Sequence, residues 1–280
     1  MKTICQLCFH HCRLEEGEIG FCGARIGKQD KVRSLNYGKV TALALDPIEK
    51  KPLRRFHSGS MILSVGSFGC NLRCPFCQNH SISMAGREGE EPLDRRQVVL
   101  SPEELAERAK ELEDRGNLGI AYTYNEPLVG YEFVLDAAEM VRRQGLLNVL
   151  VTNGTVNGSY WRQLLPLIDA ANIDLKGFSQ EWYGRLGGDL ECVKRNIVLA
   201  AEACHLEVTT LLIPGENDSR EEIEALSRWL AAVDRNIPLH LSRFFPQYRM
   251  TDRPPTPVDR IHELAEVAGE HLNYVYRGNC

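Results

Sequence analysis

The chain lacks an excess of basic charge: 33 Lys and Arg stand against 38 Asp and Glu, for a net charge of −5 over 280 residues. Nucleic-acid and membrane-surface partners are usually met with a basic excess, so neither is expected. It also lacks an apolar run approaching the roughly 20 residues that span a bilayer, and its start, Met1-Lys2-Thr3-Ile4-Cys5, has no apolar stretch of signal-peptide type. Internal repeats, low-complexity tracts and long linkers are absent as well. These absences lead us to expect a cytoplasmic globular protein, and a 43% apolar content suffices for a full core.

What the chain has in quantity is cysteine, ten in all. Disulfides are disfavoured in a reducing compartment, so clustered cysteines there point to metal ligation. Seven fall into two groups, Cys5, Cys8, Cys12, Cys22 and Cys70, Cys74, Cys77, while Cys192, Cys204 and Cys280 stand alone. Cys192 and Cys204 read as small buried hydrophobes.

Short β-branched runs alternate with stretches of helical apolar spacing. Strands are predicted at 61–65, 119–122, 148–152, 170–173, 207–213 and 238–241. Helices are predicted at 102–115, 131–144, 160–167, 189–203, 219–233 and 258–271, the first with Ser101 as N-cap and Gly116 as stop. Six βα units imply a parallel sheet with helices over its face, short of a closed eightfold barrel. The fold expected is α/β, a partial (β/α)6 barrel over 61–280 preceded by a cysteine-rich extension over 1–60.

Cys70, Cys74 and Cys77 have C-x3-C-x2-C spacing in a loop after the first barrel strand. Three thiolates on an iron–sulfur cubane leave one iron free for a small chelating molecule, whereas electron-transfer clusters use four cysteines. A structural zinc site, closed by His80 as fourth ligand, is the alternative.

The loop resembles the signature of the radical S-adenosylmethionine (SAM) superfamily, with Phe76 in the place of the family's aromatic residue before the last cysteine. Tyr122-Thr123-Tyr124-Asn125-Glu126-Pro127, Val151-Thr152-Asn153-Gly154 and Asp174-Leu175-Lys176 resemble successive SAM-contacting segments of the branch typified by pyruvate formate-lyase activating enzyme. The resemblance implies a [4Fe–4S] cluster on the three cysteines, with SAM chelated to the open iron. Asn125 and Glu126 would then accept from the SAM ammonium, Lys176 would donate to its carboxylate or ribose, and Asp174 would complete a polar or cation site. Asn153 lies in one contact segment, His240 resembles the family's histidine near the ribose, and Ile213 begins the bend resembling a backbone adenine contact. Val151 stands where the formate-lyase activase has an acidic residue, so that enzyme's monovalent-cation site is not expected.

The segments Cys5-Gln6-Leu7-Cys8-Phe9-His10-His11-Cys12, Asp46 to Leu53 and Phe244-Phe245-Pro246 further resemble the radical SAM member of the AmmeMemoRadiSam system. Implied partners are a flavodoxin- or ferredoxin-type reductant, and either a protein substrate or AMMECR-like and Memo-like proteins. The implied activity is reductive cleavage of SAM to a 5′-deoxyadenosyl radical that abstracts hydrogen from the substrate. A glycyl-radical activase acting on a protein glycine and a non-catalytic iron–sulfur or zinc module are the alternatives.

Four cysteines within eighteen residues, Cys5 to Cys22, predict a second metal centre, closed by four thiolates. Zinc and an auxiliary [4Fe–4S] cluster both satisfy the count, with His10 or His11 able to replace a thiolate. The basic residues Lys50, Lys51, Arg54 and Arg55 read as a solvated loop, with docking of an acidic partner as the alternative.

Overall fold

The computed structural model describes residues 2–85 and 97–280. Its first part is built from short strands. β1 (Thr3–Ile4) and β2 (Arg13–Leu14) form an antiparallel pair, and β3 (Arg25–Lys28) and β4 (Lys31–Ser34) form a hairpin turned at Gln29 and Asp30, both at positive φ. β5 (Lys39–Val40) pairs antiparallel with β8 (Val98–Val99).

The main sheet has eight strands. β6 (Ala42–Pro47) runs antiparallel against β7 (Met61–Gly66) at one edge. β9 (Asn117–Tyr122), β10 (Leu147–Thr152), β11 (Ala170–Asp174), β12 (His205–Leu212), β13 (Leu239–Arg243) and β14 (Val275–Gly278) follow β7 in spatial order, every neighbour parallel. Because consecutive strands are neighbours, one crossover joins each pair and all carboxyl ends reach one rim. Among the described residues β6 and β14 pair on one side only, so the barrel is open between them. The six predicted strands are all present. β14 is an additional parallel strand, and β6, from within the first sixty residues, belongs to the barrel's sheet.

The helices are α1 (His80–Ser83), α2 (Pro102–Lys110), α3 (Tyr131–Arg143), α4 (Gly158–Leu164), α5 (Gln180–Arg185), α6 (Leu190–Ala203), α7 (Arg220–Asp234) and α8 (Val258–Gly269). Local chemistry sets their starts. Ser101 and Glu104 exchange side chain-to-backbone bonds in a capping box ahead of Pro102, and Asp189 and Ser219 cap α6 and α7. Gly116, at φ +81°, closes the turn after α2.

Apolar helix faces cover the outside of the sheet in one core that includes Leu105, Val134, Trp161, Ile197 and Leu264, and that core also takes in Cys5, Leu7 and Val40. The amino-terminal segment therefore shares the barrel's core. A second cluster, Ile48, Leu53, Ile62, Ala121, Val149 and Ala170, lies where the 48–53 segment meets the sheet. Cys192 is buried and Cys204 half-buried.

Candidate active site

The site is assembled at the carboxyl rim of the sheet, where ligands of parallel α/β folds gather. A cleft there encloses about 1230 Å³, counting its open mouth. Of the predicted residues, Cys70, Cys74, Phe76, Cys77, Asn125, Glu126, Asn153, Asp174 and Lys176 all line it.

The cysteine loop leaves β7 through Gly66 and is tied down by its own backbone. Gly69 N–H donates to Ile82 C=O at 3.0 Å, Cys70 N–H to Cys22 C=O at 3.1 Å and Arg73 N–H to Leu186 C=O at 2.7 Å. Gly69 is required: its φ is +89°, and a Cβ there would lie 2.7 Å from both Ala24 Cβ and Cys22 O. Leu72 N–H points at Cys70 Sγ over 3.4 Å, and Asn153 Nδ2 approaches the same sulfur at 3.8 Å.

Burial pushes the Cys74 thiol up to about 12 and raises Cys70 and Cys77 as well. Buried thiols of this kind lose their protons readily only to a metal, which supplies the missing positive charge. Among the described residues no three His, Cys, Asp or Glu side chains are grouped to hold a single metal ion. A cubane makes a different demand, one thiol per corner iron around an open space, and three thiols facing one cleft fit it. His80 does not line the cleft: its Nδ1 lies 3.2 Å from Cys77 O and its ring stacks on Tyr248 at 4.5 Å.

Asn125, which lines the cleft, also has a bracing task. Its Oδ1 accepts from Ser67 N–H at 3.0 Å and its Nδ2 donates to Gly69 O at 2.9 Å, so the amide braces the cysteine loop. Glu126 is buried and accepts from Leu128 N–H (3.0 Å), Thr152 Oγ1 (2.7 Å) and Asn153 N–H (2.7 Å). Burial raises its carboxyl to about 7 despite these three donors. Lys176 pairs with Asp174 at 2.9 Å. Burial opposes its charge, but Asp174 outweighs burial and holds the ammonium above its ordinary pKa. Phe76 lies against Trp182, ring centroids 6.0 Å apart, in an apolar wall with Leu72, Ile213 and Phe244.

Two predicted residues stay outside the cleft lining. Ile213 is fully buried behind Phe76, and its N–H is bonded to Asn217 Oδ1 at 2.8 Å. His240 sits two residues before the cleft-lining Ser242 on β13, bound through Nε2 to Glu207 at 2.5 Å and stacked on Tyr276. Its ring nitrogen is therefore committed to a neighbouring carboxylate.

Sequence reasoning missed Thr209, Lys51 and Asn71. Thr209, in register with Asp174, lines the cleft with a buried hydroxyl that has no partner among the described residues. That orphaned group suits a polar ligand, and the signal for it was a threonine two residues from Glu207 and Leu211 on a strand of period two. Lys51 corrects the solvated-loop reading of the basic run: it is 2% exposed, lines the cleft, and is held by Asp46 at 2.9 Å and against the Tyr124 ring. Tyr124, at φ +74°, also donates its hydroxyl to Asp46 at 2.8 Å. Asn71 receives Asn153 Nδ2 on its Oδ1 at 2.9 Å and hydrogen-bonds Cys8, so it joins the two cysteine groups.

Cys5, Cys8, Cys12 and Cys22 do converge, on a separate small cavity. His10, the proposed substitute ligand, also lines it, with its Nε2 2.9 Å from Asn71 O and its ring stacked on Phe21.

Known proteins resemble this chain in sequence and in fold. An uncharacterized protein of Methanocaldococcus jannaschii is 39% identical over 282 residues, covering 99% of this chain and 81% of that protein. The pyruvate formate-lyase-activating enzyme of Clostridium pasteurianum is 29% identical over 175 residues, 60% of this chain and 67% of the enzyme. Among solved structures, Streptococcus suis SuiB bound to S-adenosylmethionine has the same fold at a TM-score of 0.58 and 15% identity, across 75% of this chain and 48% of SuiB. No helix among the described residues is long and apolar enough to cross a membrane. The Radical SAM superfamily profile matches residues 64–230, from β7 through α7, and so takes in the strand ends that carry the cleft. The chain belongs to the radical SAM superfamily of enzymes, which use a [4Fe–4S] cluster and S-adenosylmethionine.

Proposed function

We propose that this enzyme cleaves SAM reductively and uses the resulting 5′-deoxyadenosyl radical to abstract hydrogen from a substrate entering the open cleft. The observation that carries the reading is the convergence of Cys70, Cys74 and Cys77 with Glu126, Asp174 and Lys176 on that cleft. When bound, the cluster and SAM supply the radical chemistry, one electron breaking the sulfur–C5′ bond to release methionine.

The chain's own residues do the positioning. Cys70, Cys74 and Cys77 would hold the cluster, and a set of three thiolates would leave it able to take SAM as a further ligand. Glu126 would accept from the SAM ammonium, and Lys176, held by Asp174, would donate to its carboxylate or ribose. Thr209 offers a further hydroxyl. Asn125 and Asn153 hold the cysteine loop against the second and third barrel strands. The Phe76 and Trp182 wall keeps water from one side of the radical's path.

A flavodoxin- or ferredoxin-type donor supplies the electron. The hydrogen donor is either a protein, as for the glycyl-radical activases to which the chain is similar, or a small molecule, with AMMECR-like or Memo-like proteins as partners. Anaerobically reconstituted protein, given a strong reductant and SAM, should release 5′-deoxyadenosine, and Cys74→Ala should abolish it. Undiminished SAM cleavage by Cys74→Ala would refute the assignment. Mass spectrometry of mixtures with partner proteins then identifies which molecule has lost hydrogen.

A further inference from the structure

The four amino-terminal cysteines meet in one place although they come from four different pieces of chain: Cys5 just after β1, Cys8 in the following turn, Cys12 just before β2, and Cys22 in the loop leading to β3. The chain is folded for the purpose. Cys5 N–H donates to Cys12 C=O at 2.9 Å, Cys8 bridges to Val156, and Cys22 C=O accepts from Cys70 N–H. Among the described residues none of the four is in a disulfide, and Cys5 and Cys22 are buried.

Two observations distinguish what this cavity takes. The first is spacing. Zinc at a Zn–S distance of roughly 2.3 Å draws four sulfurs to within about 4 Å of one another, and no such single-ion grouping exists among the described residues. The four cysteines instead line one cavity together with Leu7, Leu14 and Val129. A cubane makes no such demand, since each thiol holds its own iron and the sulfurs stand farther apart.

The second is Arg25, which lines the same cavity with its side chain only 8% exposed. Its Nη1 and Nη2 are bound to Glu132 at 2.8 and 2.6 Å, and Nη1 also points at Val129 O. Its Nε has no partner among the described residues. A buried N–H left unpaired is costly, and a sulfide or thiolate sulfur of an anionic cluster is the acceptor it lacks.

We infer that Cys5, Cys8, Cys12 and Cys22 ligate a second [4Fe–4S] cluster, with Arg25 Nε–H as its hydrogen-bond donor. Four thiolates saturate all four irons, so this centre binds no SAM, unlike the cleft cluster. The inference stands apart from the reading of the cleft, and separate variants test the two.

The wild-type protein, reconstituted anaerobically, should carry about eight irons and eight acid-labile sulfides per chain. Cys70→Ala/Cys74→Ala/Cys77→Ala should keep about half of each, with an electron paramagnetic resonance signal that SAM leaves unchanged. Cys5→Ala/Cys8→Ala/Cys12→Ala/Cys22→Ala should keep the other half, with a signal that SAM alters. Arg25→Met should shift the midpoint potential of the SAM-insensitive signal to more negative values, through loss of the donor to its sulfur. One zinc without extra sulfide in the wild-type protein, or only four irons with no zinc, would overturn the inference whatever the variants do. A potential unmoved in Arg25→Met would remove Arg25 from it.

Discussion

The backbone N–H of Cys70 donates to the carbonyl of Cys22 across 3.1 Å, so a cysteine of the cleft loop and one of the amino-terminal group share a hydrogen bond. Gly69 makes that approach possible. With φ at +89° and Ala24 Cβ and Cys22 O each 2.7 Å from any added Cβ, Gly69→Ala must both strain the backbone and push the two segments apart. The two effects together cost on the order of 2–4 kcal/mol. We expect Gly69→Ala to lower the melting temperature and to reduce iron loading below that of the wild type, as read by calorimetry and iron analysis. Full loading at unchanged stability would show that the segments tolerate separation.

Lys176 and Glu126 are proposed to meet opposite ends of the SAM methionyl group. Lys176→Ala and Glu126→Ala should each weaken SAM binding by about 1.5–3 kcal/mol, the range of a charged hydrogen bond, while iron bound at the cleft stays at the wild-type level. Equilibrium binding of SAM to anaerobic protein measures this. Unchanged affinity in both would mean that the cleft holds SAM in another orientation.

The acidity of Glu126 adds a sign. Burial is the main cause that raises its carboxyl to about 7, so the charged form present above that pH is lost below it. An ammonium ligand prefers the carboxylate, and SAM affinity should therefore fall as pH drops from 8 to 6, approaching tenfold per unit once the carboxyl is protonated. In Glu126→Gln the profile should lose this step. A step retained in Glu126→Gln would assign it to another group.

Most of the barrel was legible because its signals are local and repeated. Six β-branched runs separated by capped amphipathic stretches specify a parallel sheet, and Ser101, Asp189 and Ser219 mark helix starts in the sequence itself. β14 and α5 were not legible: four and six residues are too short to show a period, and packing rather than pattern decides them. At the site, the three-cysteine spacing and the strand-end segments were readable. The bonds of Asn125 to Gly69 and of His240 to Glu207 were not, since only the tertiary fold brings these partners together. Lys51 was misread because its burial depends on Asp46 and Tyr124, the latter far away in sequence.

Glu207 is fully buried on β12, and its carboxylate takes four hydrogen bonds. His205 lies at 3.0 Å, His240 at 2.5 Å, and the N–H groups of Arg54 and Arg55 donate at 3.0 and 2.7 Å, which ties the segment after β6 to the sheet. Burial works against the ionised form, but the two histidines and two backbone donors overcome it and lower the carboxyl to about 2. A depressed acid contributes stability that is fully present above its unfolded pKa, roughly 4.3, and is lost as pH falls toward 2. Glu207→Gln keeps the shape but replaces one acceptor with a donor facing donors, and should cost about 2–4 kcal/mol at neutral pH. Denaturant unfolding of wild type and variant at a series of pH values tests both parts. The gap between them should hold steady from pH 7 to 5 and narrow below about pH 4. A gap that stays constant down to pH 2.5 would show that the network stabilises the barrel by packing, with no contribution from the charge on Glu207.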